Sequence, residues 1–201
     1  MVPRHEQVWR IPAILYNRSH EMLQGGWGCL NHDWMWTFIG LMSDQVPVDF
    51  IIEEDLVPEA LDRYDVLYLG GFNLDARHLA NVRGWLEADE GHLLIGTGGS
   101  LTRDIYNDPL AEAEALFGAS QTLVPEGHPR ATDKAVFEDS AFYPAMEIVP
   151  HGMKYALHPT TGTPIAHYDG GDCAAVMNRV GKGRALLIGF HAGYTFRGNG
   201  K

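Results

Sequence analysis

Asp65-Val66-Leu67-Tyr68-Leu69-Gly70-Gly71 and His92-Leu93-Leu94-Ile95-Gly96-Thr97-Gly98-Gly99 are continuous apolar runs that stop at glycines. Continuity, rather than alternation of apolar and polar residues, marks strands covered on both faces. Two further runs lie upstream, Ile11–Asn17 and Val48–Ile52. Helical patterns separate them. Asn31 is placed to cap a helix reaching Asp44, with Asp33 in its first turn and an apolar stripe of Leu30, Trp34, Phe38 and Leu41. Asp75 is placed to cap a second helix ending at Gly91, with Leu79, Val82 and Leu86 at helical spacing. Strand, helix, strand in this order predicts parallel strands joined by right-handed crossovers, an α/β fold.

The second half changes character. Six of the 11 prolines fall between Ala119 and Tyr168, which predicts an irregular insertion of loops and short edge strands over 119–168. Ala174–Val180 and Arg184–Phe190 then flank Gly181-Lys182-Gly183 and read as an antiparallel hairpin. Its second arm, RALLIGF, is apolar enough to enter the central sheet. No covering helix is visible after Phe190, and a bare sheet face would expose a large apolar patch. Two readings stand: the 201 residues are one domain cut from a longer protein, or the middle region folds back over the face.

Composition removes several function classes. Fifteen basic against 26 acidic residues give a net charge of −11, which repels phosphate backbones and anionic lipid, so neither nucleic acid nor a membrane surface is expected as a partner. No apolar run is long enough to span a bilayer, and Met1–Arg10 lacks a secretory core, so the expected location is cytoplasmic. Two cysteines, Cys29 and Cys173, make neither a disulfide framework nor a CxxC pair. The ten histidines form no HExxH, and no metal or other cofactor is expected.

The stretch Val48–Leu56, then Tyr64–Leu69, Leu79–Glu90, Gly91–Thr97, Pro109-Leu110, Leu116-Phe117-Gly118 and Gly181–Gly189 form an ordered string of weak motifs over about residues 11 to 190. Together they resemble the amidotransferase-like trimerisation domain of family-42 beta-galactosidases and related accessory domains. The resemblance implies a flavodoxin-like, three-layer, doubly wound and mostly parallel sheet with a C-terminal antiparallel hairpin. It also implies a structural and oligomerisation role beside chemistry located elsewhere. Its partners would be a second copy or a neighbouring domain of the same chain.

Class I amidotransferases, to which that domain is related, place a cysteine in a Gly-x-Cys-x-Gly elbow after a central strand. Aligned on Gly96, that position here is Gly98, which has no side chain. Ser100, two residues on, is a weak substitute. Cys29, near a helix start with His32 three residues away, is the other weak nucleophile candidate. Either would make the chain a divergent hydrolase. Arg18, Glu54, Asp55, Ser100 and His191 fall at strand C-termini, the usual ligand crevice of open α/β sheets, and could line a pocket for a small molecule or carbohydrate. Trp36 lies off the apolar stripe and is a candidate interface anchor. Trp34 and Cys173 read as core.

Overall fold

Ile11–Tyr16 forms β1, with Ala13, Ile14 and Leu15 sealed on both faces as a continuous apolar run requires. The computed structural model describes residues 11–25, 29–124, 133–140 and 143–199. After β1 come α1 (Arg18–Gln24), α2 (Cys29–Ser43) and β2 (Asp49–Ile52). A 3₁₀ turn at Glu53–Asp55 leads to α3 (Pro58–Leu61), β3 (Tyr64–Leu69), α4 (Ala76–Ala88) and β4 (Leu93–Gly96). The second half holds α5 (Ala111–Phe117), β5 (Ala119–Leu123), β6 (Ala135–Phe137), β7 (Met146–Ile148), β8 (Tyr155–Pro159) and β9 (Thr163–Tyr168). The hairpin β10 (Cys173–Val180) and β11 (Gly183–Ile188) precedes α6 (Ala192–Asn199).

The strand order is β2-β1-β3-β4-β11-β10-β9-β6-β7, with β8 also pairing β10 and β5 pairing β8. From β2 to β11 the pairs are parallel, in the doubly wound order also seen in flavodoxin. From β11 outward every pair is antiparallel. The sheet is therefore mixed, not mostly parallel. The difference comes from residues 119–168, expected as irregular but folded into five strands. Their prolines are tolerated by position: Pro159 ends β8, Pro164 stands second in β9, and Pro144 and Pro150 lie outside strands.

Asp75 caps α4, its carboxylate accepting from the Arg77 backbone N–H at 3.0 Å. Leu79, Val82 and Leu86 turn into the main core beside Leu67, Leu94 and Leu187. The Arg77 side chain and backbone hydrogen bonds hold the Asp75 carboxyl at about 2. A free aspartate titrates near ~3.9, so this contribution is present above about pH 4 and is lost as pH falls towards 2. Asp75→Ala is expected to lose ~1 kcal/mol at neutral pH. The deficit should shrink on acidification through that window, as read by urea unfolding; a deficit independent of pH would refute the assignment.

A helix does follow β11, where the sequence showed none. Residues 192–199 form α6, which packs on α2 although Gly193, Gly198 and Thr195 give it poor intrinsic helix propensity. Close approach outweighs propensity here. A Cβ on Gly193 would lie 2.1 Å from the Asp33 carbonyl oxygen and 2.4 Å from Thr37 Oγ1, and a Cβ on Gly40 of α2 would lie 3.5 Å from the Phe196 ring. Gly193→Ala is expected to push α6 off α2 and to cost ~1–3 kcal/mol. The melting temperature should fall by about 2–4 °C per kcal/mol in a chain of this size, and an unchanged melt would contradict the packing account. The start of α2 also differs from expectation. The helix begins at Cys29, so Asn31 is inside it, and Asp33 lies past the first turn.

Candidate functional site

Parallel strands end on one edge of the sheet, and here β3, β4 and β11 bring Tyr68, Thr97 and His191 to that edge. From above, α2 sends down Asp33. All four side chains are buried. The Asp33 carboxylate accepts from the Tyr68 hydroxyl, from Thr97 Oγ1 at 3.2 Å and from the Tyr194 backbone N–H of α6 at 3.1 Å. Thr97 Oγ1 also lies 3.3 Å from Ser100 Oγ, which accepts the Thr97 N–H at 3.0 Å. His191 Nε2 faces the Gly98 carbonyl at 3.1 Å, so Nε2 carries a proton and donates. His191 Nδ1 is buried and has no hydrogen-bond partner among the described residues.

Burial governs the electrostatics. It pushes the Asp33 carboxyl up, against the opposing pull of His191 and the three donors. It pushes the His191 imidazole down, against the attraction of Asp33. The Tyr68 phenol is raised well above its ordinary value by burial and by Asp33, so it stays a hydrogen-bond donor. The arrangement is a buried latch that ties α2, α6 and three strand ends together.

The proposed nucleophile positions are closed or elsewhere. A Cβ on Gly98 would lie 2.6 Å from Tyr155 Cδ2 and 3.1 Å from the Gly189 carbonyl oxygen, so the Tyr155 ring fills the space a nucleophile would use. Ser100 is fully buried, its hydroxyl spent within the turn. Cys29 belongs to α2 by its backbone, and its side chain lies outside the described residues, as does Trp27. Cys173 is buried and donates to the Ala175 carbonyl. Burial raises its thiol.

The five rim residues do not share one pocket. Arg18 and Glu54 pair with each other at 2.7 Å on the surface, and Asp55 accepts the Ile52 N–H at 3.2 Å. Ser100 and His191 are fully buried. The acidic triplet has an unforeseen use. Glu53 accepts both the N–H and the hydroxyl of Ser19, which satisfies the first turn of α1. Asn17 was also missed: its amide donates to the carbonyls of Gly70 and Asn73 and clips the end of β1 to that of β3. Among the described residues, no three His, Cys, Asp or Glu side chains are grouped to hold a metal. No helix among them is long and apolar enough to cross a membrane.

Trp36 lies half-buried with its ring under the Arg197 guanidinium of α6, 5.4 Å from the ring centroid. Trp34 is not deep core. It belongs to a row of aromatic rings on the molecular surface: Tyr16 to Trp34 at 5.6 Å, Trp34 to Phe50 at 5.5 Å, and Phe50 to Phe38 at 5.0 Å. Phe50 is 43% exposed on β2, which is an edge strand of the sheet, and Met42, one helical turn beyond Phe38, is 50% exposed. The pattern signal was present in the unusually apolar α2, but the contact with β2 is tertiary.

No family model and no curated protein matches the sequence. Solved structures do share the fold. The beta-galactosidase of Bacillus circulans sp. alkalophilus superposes with a TM-score of 0.73 at 14% identity, over 94% of this chain and 29% of that one. The cold-adapted beta-galactosidase of Rahnella sp. R3 gives 0.73 at 16% identity, over 92% and 30%. A cytoplasmic protein of Salmonella typhimurium LT2 gives 0.56 at 13% identity, over 89% and 87%. The chain thus spans under a third of the beta-galactosidases, and the expected likeness to a family-42 domain is met at the level of the fold.

Proposed function

We propose that this chain is a non-catalytic assembly domain of a glycoside-hydrolase-like protein and that it works by self-association. The observation that carries the reading is the surface row Tyr16, Trp34, Phe50 and Phe38 beside an edge strand of the sheet. Aromatic anchors clustered on a partly exposed surface are the side chains that dominate association energetics. The filled space at Gly98 and the burial of Ser100 support the absence of chemistry in the domain itself. The fold's occurrence as a minor part of longer beta-galactosidase chains supports an accessory role.

Amide exchange read by mass spectrometry tests where the contact forms. On raising the protein concentration, protection is expected to increase over Asp49–Ile52 and over the second half of Cys29–Ser43. Protection that stays the same in both segments would overturn the reading.

A further inference from the structure

A cavity of about 540 Å³ opens at the same sheet edge, outside the Asp33 latch. Phe72 and Tyr155 form its aromatic floor, so close to Gly99 that a Cβ there would meet Phe72 Cε1 at 2.3 Å and Tyr155 Oη at 2.7 Å. Its walls are polar: Gln24 at the end of α1, Thr102, Arg103 and Asn107 from the loop after β4, Glu114 of α5 and Gln121 of β5.

The walls are built in advance of any ligand. Gln121 accepts the Gly99 N–H at 2.8 Å and donates to the Ser100 carbonyl at 3.0 Å. The Leu101 and Arg103 N–H groups donate to the carbonyls of Gly71 and Phe72 at 2.8 and 2.9 Å. Among the described residues three non-glycine residues have positive φ, and two of them, Leu101 at 55° and Asn107 at 68°, stand in this one loop. Such conformations cost energy and gather at ligand sites.

Charge identifies the ligand class. Arg103 and Glu114 line the same cavity, yet among the described residues neither has an ion-pair partner. Arg103 spends one N–H on the Asn107 carbonyl at 2.8 Å, which leaves most of its fork for a ligand. An anion would suit Arg103 but be repelled by Glu114, and a cation the reverse. A neutral ring bearing several hydroxyls satisfies both, accepting from the guanidinium and donating to the carboxylate, while its C–H face lies on Phe72. We propose that this cavity binds a neutral monosaccharide-sized polyol. The assignment is independent of the assembly reading.

The test is a titration of the ¹⁵N-labelled chain with D-galactose, D-mannose and D-glucose, and separately with sodium acetate and L-glutamine. At least one hexose is expected to give saturable shifts at Phe72, Thr102, Arg103 and Gln121. Arg103→Ala and Glu114→Ala, both exposed side chains, should each weaken that binding about ten-fold without moving the melting temperature. No saturable shift with any of the three hexoses, shifts centred elsewhere, or full affinity in both variants would overturn the proposal. Tighter binding of acetate or glutamine would also overturn it, by assigning the cavity to an anion or a zwitterion.

Discussion

Asp33→Ala is expected to lower stability by ~3–5 kcal/mol, the size of effect seen when one partner is removed from a buried, charged hydrogen-bond network. The substitution leaves the Tyr68 hydroxyl, the Thr97 hydroxyl and the Tyr194 N–H facing a dry space, and it removes the charge that opposes burial at His191. It also frees α6 from α2, because the Tyr194 N–H belongs to α6. The melting temperature should fall by about 10 °C, given ~2–4 °C per kcal/mol for this chain length. Asp33→Asn keeps the volume and one carbonyl acceptor, so its loss should be clearly smaller. An alanine variant that melts within ~2 °C of the parent would refute the latch.

Phe50→Glu is expected to weaken self-association by at least ~30-fold, the equivalent of losing one aromatic anchor worth about 2 kcal/mol. Phe50 is the right position for this test because its ring touches both Trp34 and Phe38 and is itself 43% exposed, so it belongs to the row without filling the core. A carboxylate there is solvated in the free chain and desolvated in the contact. The fold should survive, with an unchanged melt at low protein concentration. Sedimentation equilibrium would give the two dissociation constants, and equal constants would remove the row from the interface.

The parallel half of the sheet was legible because its residues carry their own signals. Continuous apolar runs at 65–71 and 92–99, a capping Asp75 and the glycines around Lys182 each act over a few residues. The rest depends on contacts between distant segments. Helix α6 forms because Gly193 lets two helices touch, which no local propensity reports. Strands β5–β9 are short, and β8 and β9 carry prolines, so neighbours rather than their own residues hold them in the sheet. Placing the start of α2 at Asn31 put Asp33 in a first turn, where the helix dipole favours a negative charge. With the start at Cys29, Asp33 lies past the first turn and is buried, and an acid set among Trp34, Trp36 and Phe38 was the available sign. Ser100 and His191 were read at the correct strand ends, but whether a strand end faces a crevice or lies beneath a loop is decided by the loop.

Light scattering on the chain by itself, across a wide range of concentrations, tests the assembly role most directly. The account predicts a molar mass that rises to a multiple of the single-chain value and returns to one chain in Phe50→Glu. A single-chain mass at every concentration would contradict it.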